Sequence, residues 1–191
     1  MIYQLSGRLV LKNPTFVVID CNGVGYELKI SLYSFSAIGN DEHVTLFTKL
    51  IVREDAHILY GFCTLEEKEM FQHLISISGI GPNTAMIMLS SLVPDEIAHA
   101  IVSEDVKTIQ SIKGIGAKTA QRVIIELKDK MQKLTFSSEN IFNSNNTSKF
   151  DALNALISLG FDKKLAEKAL DRIAQDDYSV EELIKHALKV L

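Results

Sequence analysis

The feature that most constrains this chain is a short sequence that occurs twice. Gly79-Ile80-Gly81 recurs as Gly114-Ile115-Gly116, 35 residues later, and each copy is followed after two residues by Thr-Ala. Apolar residues at helical spacing flank both copies, so each copy predicts two helices joined by a glycine hairpin. Because an internal repeat implies equivalent structural units, the sequence predicts a tandem pair of helical hairpins.

A hairpin of this kind is suited to holding phosphate. The glycines allow a tight turn and a close approach of backbone to a ligand. The next helix then begins with N–H groups that have no helical partner, at the positive end of the helix dipole. We therefore expect contacts to the sugar–phosphate backbone of DNA, which carry no sequence information. The predicted DNA-binding residues are Gly79, Gly81, Asn83, Gly114, Gly116, Lys118, Thr119 and Arg122.

The two copies differ in charge. Lys118 and Arg122, spaced i and i+4 on one helix face, correspond in the first copy to Asn83 and Ile87. We expect the second copy to supply more of the electrostatic attraction and the first to supply mainly backbone amides. The alternative for either copy is a plain helical hairpin whose glycines serve only the turn, but two matching copies favour the DNA hypothesis.

Charge along the chain is consistent with a local basic patch. Between Lys107 and Lys133 there are seven Lys or Arg residues against two acids, although the whole chain carries a net charge of −4. This balance argues against a general polycation that coats DNA. Lys128, Lys130 and Lys133 could equally form a solvated helix face.

The period of the apolar residues changes along the chain and predicts an α+β multidomain protein. Residues 1–62 contain five short strands, typical of a small barrel or sandwich, with Leu5, Leu9 and Leu11 and then Phe16 and Val18 at period two. Asn22-Gly23 predicts a tight hairpin. Residues 63–134 are helical. The predicted helices are Leu65–Ser76, Pro82–Leu92, Pro94–Val102, Val106–Ser111 and Ala117–Leu134.

The last part of the chain is predicted to be a linker and a small helical module. Residues 135–148 are rich in Ser and Asn and predict a flexible linker. Residues 149–191 predict three short helices, the third opened by a capping box of Ser179 and Glu182. The sequence thus divides into domains at 1–62, 63–134 and 149–191.

Composition indicates a globular protein without a cofactor. Hydrophobic residues make up 47% of the chain and charged residues 23%. Cys21 and Cys63 form no C-x-x-C pair, so neither a disulfide framework nor a metal site is expected. The N-terminus has no signal-peptide pattern, and no apolar run of about 18 residues is present. We expect a cytoplasmic protein that does not associate with membranes.

An acidic turn, Arg53-Glu54-Asp55-Ala56, lies at a predicted hairpin tip. One interpretation is a solubilising turn between strands. The other is a carboxylate pair that binds metal for phosphodiester hydrolysis, although the sequence shows no further carboxylate assembled with it.

Taken together, these segments resemble the RuvA family, the Holliday-junction-recognition subunits of the bacterial branch-migration complex. The resemblance implies an OB-fold first domain, a tandem helix-hairpin-helix domain and a mobile three-helix third domain, which looks like a ubiquitin-associated module. The segments that carry the resemblance are Gly23-Val24-Gly25-Tyr26-Glu27, Val52-Arg53-Glu54-Asp55-Ala56, Leu59-Tyr60-Gly61-Phe62, Gly79-Ile80-Gly81-Pro82, Gly114-Ile115-Gly116-Ala117-Lys118-Thr119-Ala120 and Leu159-Gly160-Phe161.

The same resemblance implies a function and partners. A homotetramer would hold an open four-way junction on one face, with Glu54 and Asp55 as an acidic pin at its centre. The third domain would contact the motor ATPase RuvB through Leu156, Leu159 and Phe161, unless these three are ordinary core. The resolvase RuvC would be a further partner. Some family members carry lysine at the positions of Asn83 and Ala117, so we expect junction binding here to be weaker or less salt-dependent.

Three function classes follow from these features. The first is a non-catalytic junction-binding subunit. The second is an enzyme, such as a glycosylase that uses Lys118 in a base pocket or a nuclease, since helix-hairpin-helix pairs also occur in such proteins. The third is a protein adaptor that acts through the terminal module. The chain has no Walker A sequence, so it is not expected to hydrolyse ATP itself.

Overall fold

Two compact units make up the computed structural model, which describes residues 1–39, 41–139, 144–173 and 178–191. The first unit is Met1–Gln132 and the second is Lys133–Leu191. The division of the chain into separate domains at 1–62 and 63–134 stays a prediction.

Five strands at the start of the chain close into a barrel. They are β1 (Gln4–Asn13), β2 (Phe16–Cys21), β3 (Val24–Lys29), β4 (His43–Val52) and β5 (His57–Phe62). Their order around the barrel is β1-β2-β3-β5-β4, and only the pairing of β3 with β5 is parallel. The five predicted strands and the OB-fold that the resemblance implied are confirmed.

The turn between β2 and β3 has the geometry that Asn-Gly predicts. Asn22 and Gly23 both have positive φ, 54° and 89°. Two consecutive residues of this kind match the right-handed twist of a two-residue hairpin. Asp20 fixes the turn, because its carboxylate accepts the Gly23 N–H at 2.7 Å and pairs with Arg8 at 3.1 Å. Both contacts lower the pKa of Asp20.

The barrel interior differs in part from the period-two prediction. A register shift lies between Leu9 and Leu11 in β1, so Leu11 changes face and is 48% exposed. A β-bulge of this kind adds one residue to a strand and reverses the alternation beyond it. In β2 the fully buried residues are Val17 and Ile19, on the face opposite to Phe16 and Val18.

A short helix that the sequence analysis missed, α1 (Leu32–Ala37), joins β3 to β4. Its N-cap Ser31 and its residue Ser34 are fully buried. Both hydroxyls donate to the carboxylate of Glu67, that of Ser34 at 2.6 Å. Since Glu67 lies in the helix that follows the barrel, this buried cluster fastens α1 to that helix.

The Glu67 cluster gives a pH-dependent prediction. Burial raises the pKa of Glu67 above its usual 4.5, against the effect of the two serine hydroxyls. A raised carboxyl pKa means that the folded state holds the proton more tightly. The stabilisation of the folded protein by protonated Glu67 is therefore full below pH 4.5 and is lost as pH rises through the pKa of the folded state. We expect the free energy of unfolding of Glu67→Gln, measured in urea, to increase relative to that of the wild type as pH rises from 5 to 8.

The matched control for this prediction is Glu69→Gln, an exposed glutamate on the same helix. The difference between Glu67→Gln and the wild type should grow with pH by more than the difference between Glu69→Gln and the wild type. A difference for Glu67→Gln that does not grow with pH would contradict the assignment of a raised pKa.

Five helices follow the barrel, and each begins at the predicted residue. They are α2 (Leu65–Ile75), α3 (Pro82–Ser91), α4 (Pro94–Val102), α5 (Val106–Ser111) and α6 (Ala117–Glu139). The Thr64 and Asp105 side chains cap α2 and α5, while proline opens α3 and α4, where no backbone N–H is needed.

Strand β5 belongs both to the core of the barrel and to the core of these helices. In β5, Leu59 packs into the barrel, whereas Tyr60 and Phe62 face the helices. The Phe71 ring on α2 lies 5.0 Å from the rings of both Tyr60 and Phe62. A single strand therefore contributes to two cores, which explains why residues 1–132 form one compact unit.

Across the described parts of the chain, no single helix is long and apolar enough to cross a membrane. The pair α3 and α4 has the necessary length and composition together, but it is bent by 97° at the break.

The described residues of the second unit that follow α6 form three packed helices, α7 (Ser144–Ser158), α8 (Lys163–Ile173) and α9 (Val180–Ala187). Ser179 and Glu182 form the predicted capping box. Of the predicted linker at 135–148, residues 140–143 lie outside the described residues, and α6 and α7 extend into it from either side. Its role as a linker stays a prediction. The core consists of Ala152, Leu156, Ala166, Ala169, Leu170, Leu183 and Ala187.

Candidate nucleic-acid interface

The two glycine hairpins have the same backbone structure. Gly79 and Gly114 adopt φ of +96° and +92°, a region that side-chain-bearing residues rarely enter. The next residue in each copy donates its N–H three residues back, Ile80 to Ile77 at 3.0 Å and Ile115 to Ile112 at 3.1 Å. The sequence repeat is therefore a repeat of conformation.

Each hairpin presents its glycines outward because its isoleucine points inward. Ile80 is 4% exposed and Ile115 is 6% exposed. A Cβ atom built on Gly79, Gly81, Gly114 or Gly116 would meet nothing within 4 Å. The buried isoleucine anchors the loop, and the open glycine face lets another molecule approach the backbone closely.

Both hairpins lead directly into a helix whose first N–H groups are available. The Gly81 carbonyl accepts the Ala85 N–H at 3.0 Å, and the Gly116 carbonyl accepts the Ala120 N–H at 2.9 Å. Gly81 is the N-cap of α3 and provides no side-chain cap. The amides before Ala85, including that of the exposed Asn83, have no helical acceptor and can donate to water or to an anion at the positive helix end.

The two predicted cations of the second hairpin have different surroundings. Lys118 is exposed in the first turn of α6. Arg122 lies one turn later, and its Nη1 donates to the Ser78 carbonyl in the first hairpin at 3.1 Å. Its Nε also lies 3.7 Å from the Glu126 carboxylate. The sequence predicts the position and charge of Arg122 on the face of α6, but it gives no sign of this contact between the hairpins.

The other predicted binding residues lie close to these loops. Thr119 is partly buried beside Lys118, as Thr84 is in the first copy. Lys128, which the sequence analysis left open as a solvated cation, forms an ion pair with Glu104. That pair ties α6 to the turn between α4 and α5, so Lys128 is engaged within the protein.

The acidic turn lies at the tip of the β4–β5 hairpin, as predicted. Val52 pairs with His57, and the Arg53 N–H donates to the Ala56 carbonyl at 2.8 Å. Glu54 and Asp55 are therefore the outermost residues of the tip, and both are exposed. In the part of the chain that the structure describes, no group of three or more His, Cys, Asp or Glu residues could hold a metal ion.

The three residues predicted to bind a partner have different environments. Leu156 is fully buried in the core of the second unit, the alternative that the sequence analysis left open. Phe161 packs partly against the same core, whereas Leu159 is 61% exposed. Leu165, which the sequence analysis did not select, is 58% exposed shortly after Phe161.

Comparisons with known proteins place the whole chain in one family. Residues 1–61 match the family described as RuvA N terminal domain, and residues 151–191 match RuvA, C-terminal domain. Proteins from Christiangramia forsetii and Cytophaga hutchinsonii are each 53% identical to this chain, and the alignments cover 100% of both sequences. The chain belongs to the RuvA family.

More distant members of the family also align over the full length. A Chromobacterium violaceum protein is 43% identical over 100% of this chain and 98% of its own. All three relatives are named Holliday junction branch migration complex subunit RuvA. Residues 71–129, which contain both hairpins, match a family described as SAM-like Helix-hairpin-helix tandem. The predicted tandem helix-hairpin-helix domain is confirmed.

Proposed function

We propose that this protein is the non-catalytic, junction-binding subunit of a branch-migration complex. It binds four-way DNA junctions, holds them open and recruits and stimulates the RuvB ATPase in recombination and repair. The proposal rests on the two hairpins, which have the same conformation and each present an open glycine face at a helix N-terminus. The names of the family members indicate the kind of DNA.

The hairpins hold a duplex arm by its phosphates. Gly79, Gly81, Gly114 and Gly116 allow the backbone to approach, and the first amides of α3 and α6 donate to phosphate oxygens. In the first copy Asn83 contributes no charge. In the second copy Lys118 adds an exposed ammonium group, supported by Thr119 and Arg122. The affinity therefore depends on the second copy more than on the first.

The acidic tip acts where the strands separate. Glu54 and Asp55 project from a hairpin of the barrel and carry two exposed carboxylates. In a homotetramer these carboxylates would gather around the fourfold axis and repel phosphate there. That repulsion would keep the centre of the junction open and direct the duplex arms towards the hairpins.

The terminal module supplies the contact to the motor. Leu159 and Leu165 are exposed, and Phe161 lies partly exposed between them in sequence. We place the RuvB contact on these residues, with Leu156 supporting them from the core. In this proposal the protein acts in the cytoplasm, as a tetramer, and also works with the resolvase RuvC. In the same proposal, the boundaries at 62, 134 and 149 separate the segments by role, and residues 1–62 and 63–134 act together as one folding unit.

A reconstituted migration assay tests this function. A synthetic four-way junction is incubated with RuvB and ATP, with and without this protein, and products are resolved on native and denaturing gels. We expect junction dissociation only when both proteins are present and no strand cleavage. Strand cleavage or base loss that Lys118→Ala abolishes would indicate an enzyme instead.

The acidic tip gives a separate prediction in the same assay. Glu54→Lys combined with Asp55→Lys should leave junction binding intact, since the hairpins are unchanged, but should alter the rate of motor-driven migration. Glu66→Lys, at an exposed position on α2, is the control for a change of charge alone. A migration rate equal to that of the wild type would contradict the role of Glu54 and Asp55 as a pin, and an unfolded double variant would favour a purely structural turn.

The unequal hairpins predict different salt dependences. Lys118→Gln should weaken junction binding and reduce the slope of log K against log salt concentration by about 0.9, the value for one lost phosphate contact. Lys128→Gln removes the same charge from a side chain that is paired with Glu104. Its slope should match the wild type. Equal slopes for both variants would contradict the placement of the phosphate contact at Lys118.

A further inference from the structure

Besides their common hydrophobic core, the two hairpins are joined by a hydrogen bond from a side chain. The Arg122 Nη1 donates to the Ser78 carbonyl at 3.1 Å, and Ser78 is the residue immediately before Gly79. Arg122 itself lies in the helix that follows the second hairpin. The bond therefore joins the loop of the first hairpin to the helix of the second.

The repeat shows that this connection exists in one direction only. Arg122 corresponds to Ile87 in the first copy, and Ser78 corresponds to Lys113 in the second. Ile87 has no hydrogen-bond donor in its side chain, and it is 42% exposed. The equivalent bond, from residue 87 to the Lys113 carbonyl, cannot form. The bond from Arg122 to Ser78 therefore has no counterpart from the first copy to the second.

The guanidinium group suits this bridging position. It is planar and has five N–H donors. One of them donates to the Ser78 carbonyl. The Nε atom lies 3.7 Å from the Glu126 carboxylate, and because the two residues are spaced i,i+4, this ion pair holds the arginine side chain along α6. Because the arginine side chain is 51% exposed, its remaining donors stay accessible to a phosphate.

We propose that Arg122 is a positioning residue that fixes the first hairpin relative to the second, so that both helix N-termini meet the phosphates of one duplex arm together. This inference rests on the proposed function for its consequence, but the connection itself belongs to the free protein. Two phosphate sites held at a fixed separation bind one arm better than two sites that move independently, because less motion is lost on binding.

The first test uses the free protein. Amide hydrogen exchange at Gly79 and Ile80 is measured by NMR in the wild type, Arg122→Met and Lys118→Met. Both substitutions remove one positive charge from α6. We expect exchange in the first hairpin to become about tenfold faster in Arg122→Met alone, the factor that corresponds to one charge-assisted hydrogen bond. Unchanged exchange in Arg122→Met would overturn the proposal.

The second test uses DNA and keeps the charge. Arg122→Lys retains one positive charge but loses the planar fork that reaches Ser78. We expect the affinity for the junction to fall about tenfold, while the slope of log K against log salt concentration stays unchanged. A residue that acts only as a phosphate contact would instead tolerate lysine. Binding equal to the wild type would overturn the positioning role.

The two tests separate this inference from the proposed function. If the wild type shows no preference for a junction over duplex DNA, the proposed function fails, and the exchange measurement still decides whether Arg122 fixes the first hairpin. If the wild type binds junctions and exchange is the same in Arg122→Met, the function stands and the positioning role is refuted.

Discussion

Replacing Gly81 and Gly116 together with aspartate is expected to weaken junction binding at least about 100-fold, while the protein stays folded. Both sites are open, and neither glycine has positive φ, so a side chain fits without strain. Aspartate is a preferred residue at the start of a helix because it accepts the free N–H groups. It would therefore occupy the amides that we assign to phosphate and would add a negative charge there.

The size of this effect follows from the contacts that are lost. A hydrogen bond to a charged group contributes about 1.5–3 kcal/mol, and one such contact at each hairpin gives a loss of about 3–6 kcal/mol. Since about 1.4 kcal/mol corresponds to tenfold in affinity, 100-fold is the lower end of the expected range.

The matched control is the pair Gly81→Asn and Gly116→Asn. Asparagine caps a helix about as well as aspartate but carries no charge, so the two double variants should have similar stabilities. Binding to a labelled junction is measured by fluorescence anisotropy, and unfolding by circular dichroism. If both double variants bind as tightly as the wild type, the phosphate sites lie elsewhere. Equal weakening of both would show that occupation of the amides, and not charge repulsion, causes the loss.

The second large effect is expected on stability, in the core that the helices share with strand β5. Phe71→Ala should lower the free energy of unfolding by about 3–5 kcal/mol, the usual cost of removing a buried phenylalanine ring. Phe71 is fully buried and packs against Tyr60 and Phe62 of the barrel. The loss is large relative to the total stability of about 5–15 kcal/mol of a typical domain.

The same variant tests whether the barrel and the helices unfold together. Because β5 contributes to both cores, we expect residues 1–132 to unfold in one transition, and Phe71→Ala should shift strand and helix signals equally in a urea titration. Ile125→Ala, at a side chain that is 77% exposed, is the control and should change stability little. Separate shifts of the two signals would show that the barrel and the helices are independent domains.

Much of the fold could be predicted because local patterns and the repeat agree. Proline, the glycine hairpins and the apolar spacing place the first residues of α2 to α6, and Asn22-Gly23 predicts the β2–β3 turn. The bulge at Leu9 could not be predicted, because period two gives no sign of one extra residue. The helix α1 was missed since it has only six residues and depends on Ser31 and Ser34 meeting a distant Glu67.

The candidate site was predicted in its composition but not in its connections. The duplicated Gly-Ile-Gly sequences identify the loops, since the chemistry that they need is local. The bond from Arg122 to Ser78 joins residues far apart in sequence, and so does the ion pair of Lys128 with Glu104. Leu156 illustrates the same limit, because a leucine on a short helix has the same pattern in a core and on a surface.

The proposed function requires this protein to prefer four-way junctions to linear duplex DNA and to hold them through its two hairpins. The most direct measurement is a competition experiment in which unlabelled junction or unlabelled duplex of equal length displaces a labelled junction from the protein at fixed salt concentration. We expect the junction to compete at least about tenfold more strongly than the duplex, a difference of about 1.4 kcal/mol. Equal competition by the two DNAs would show that the protein does not recognise the junction.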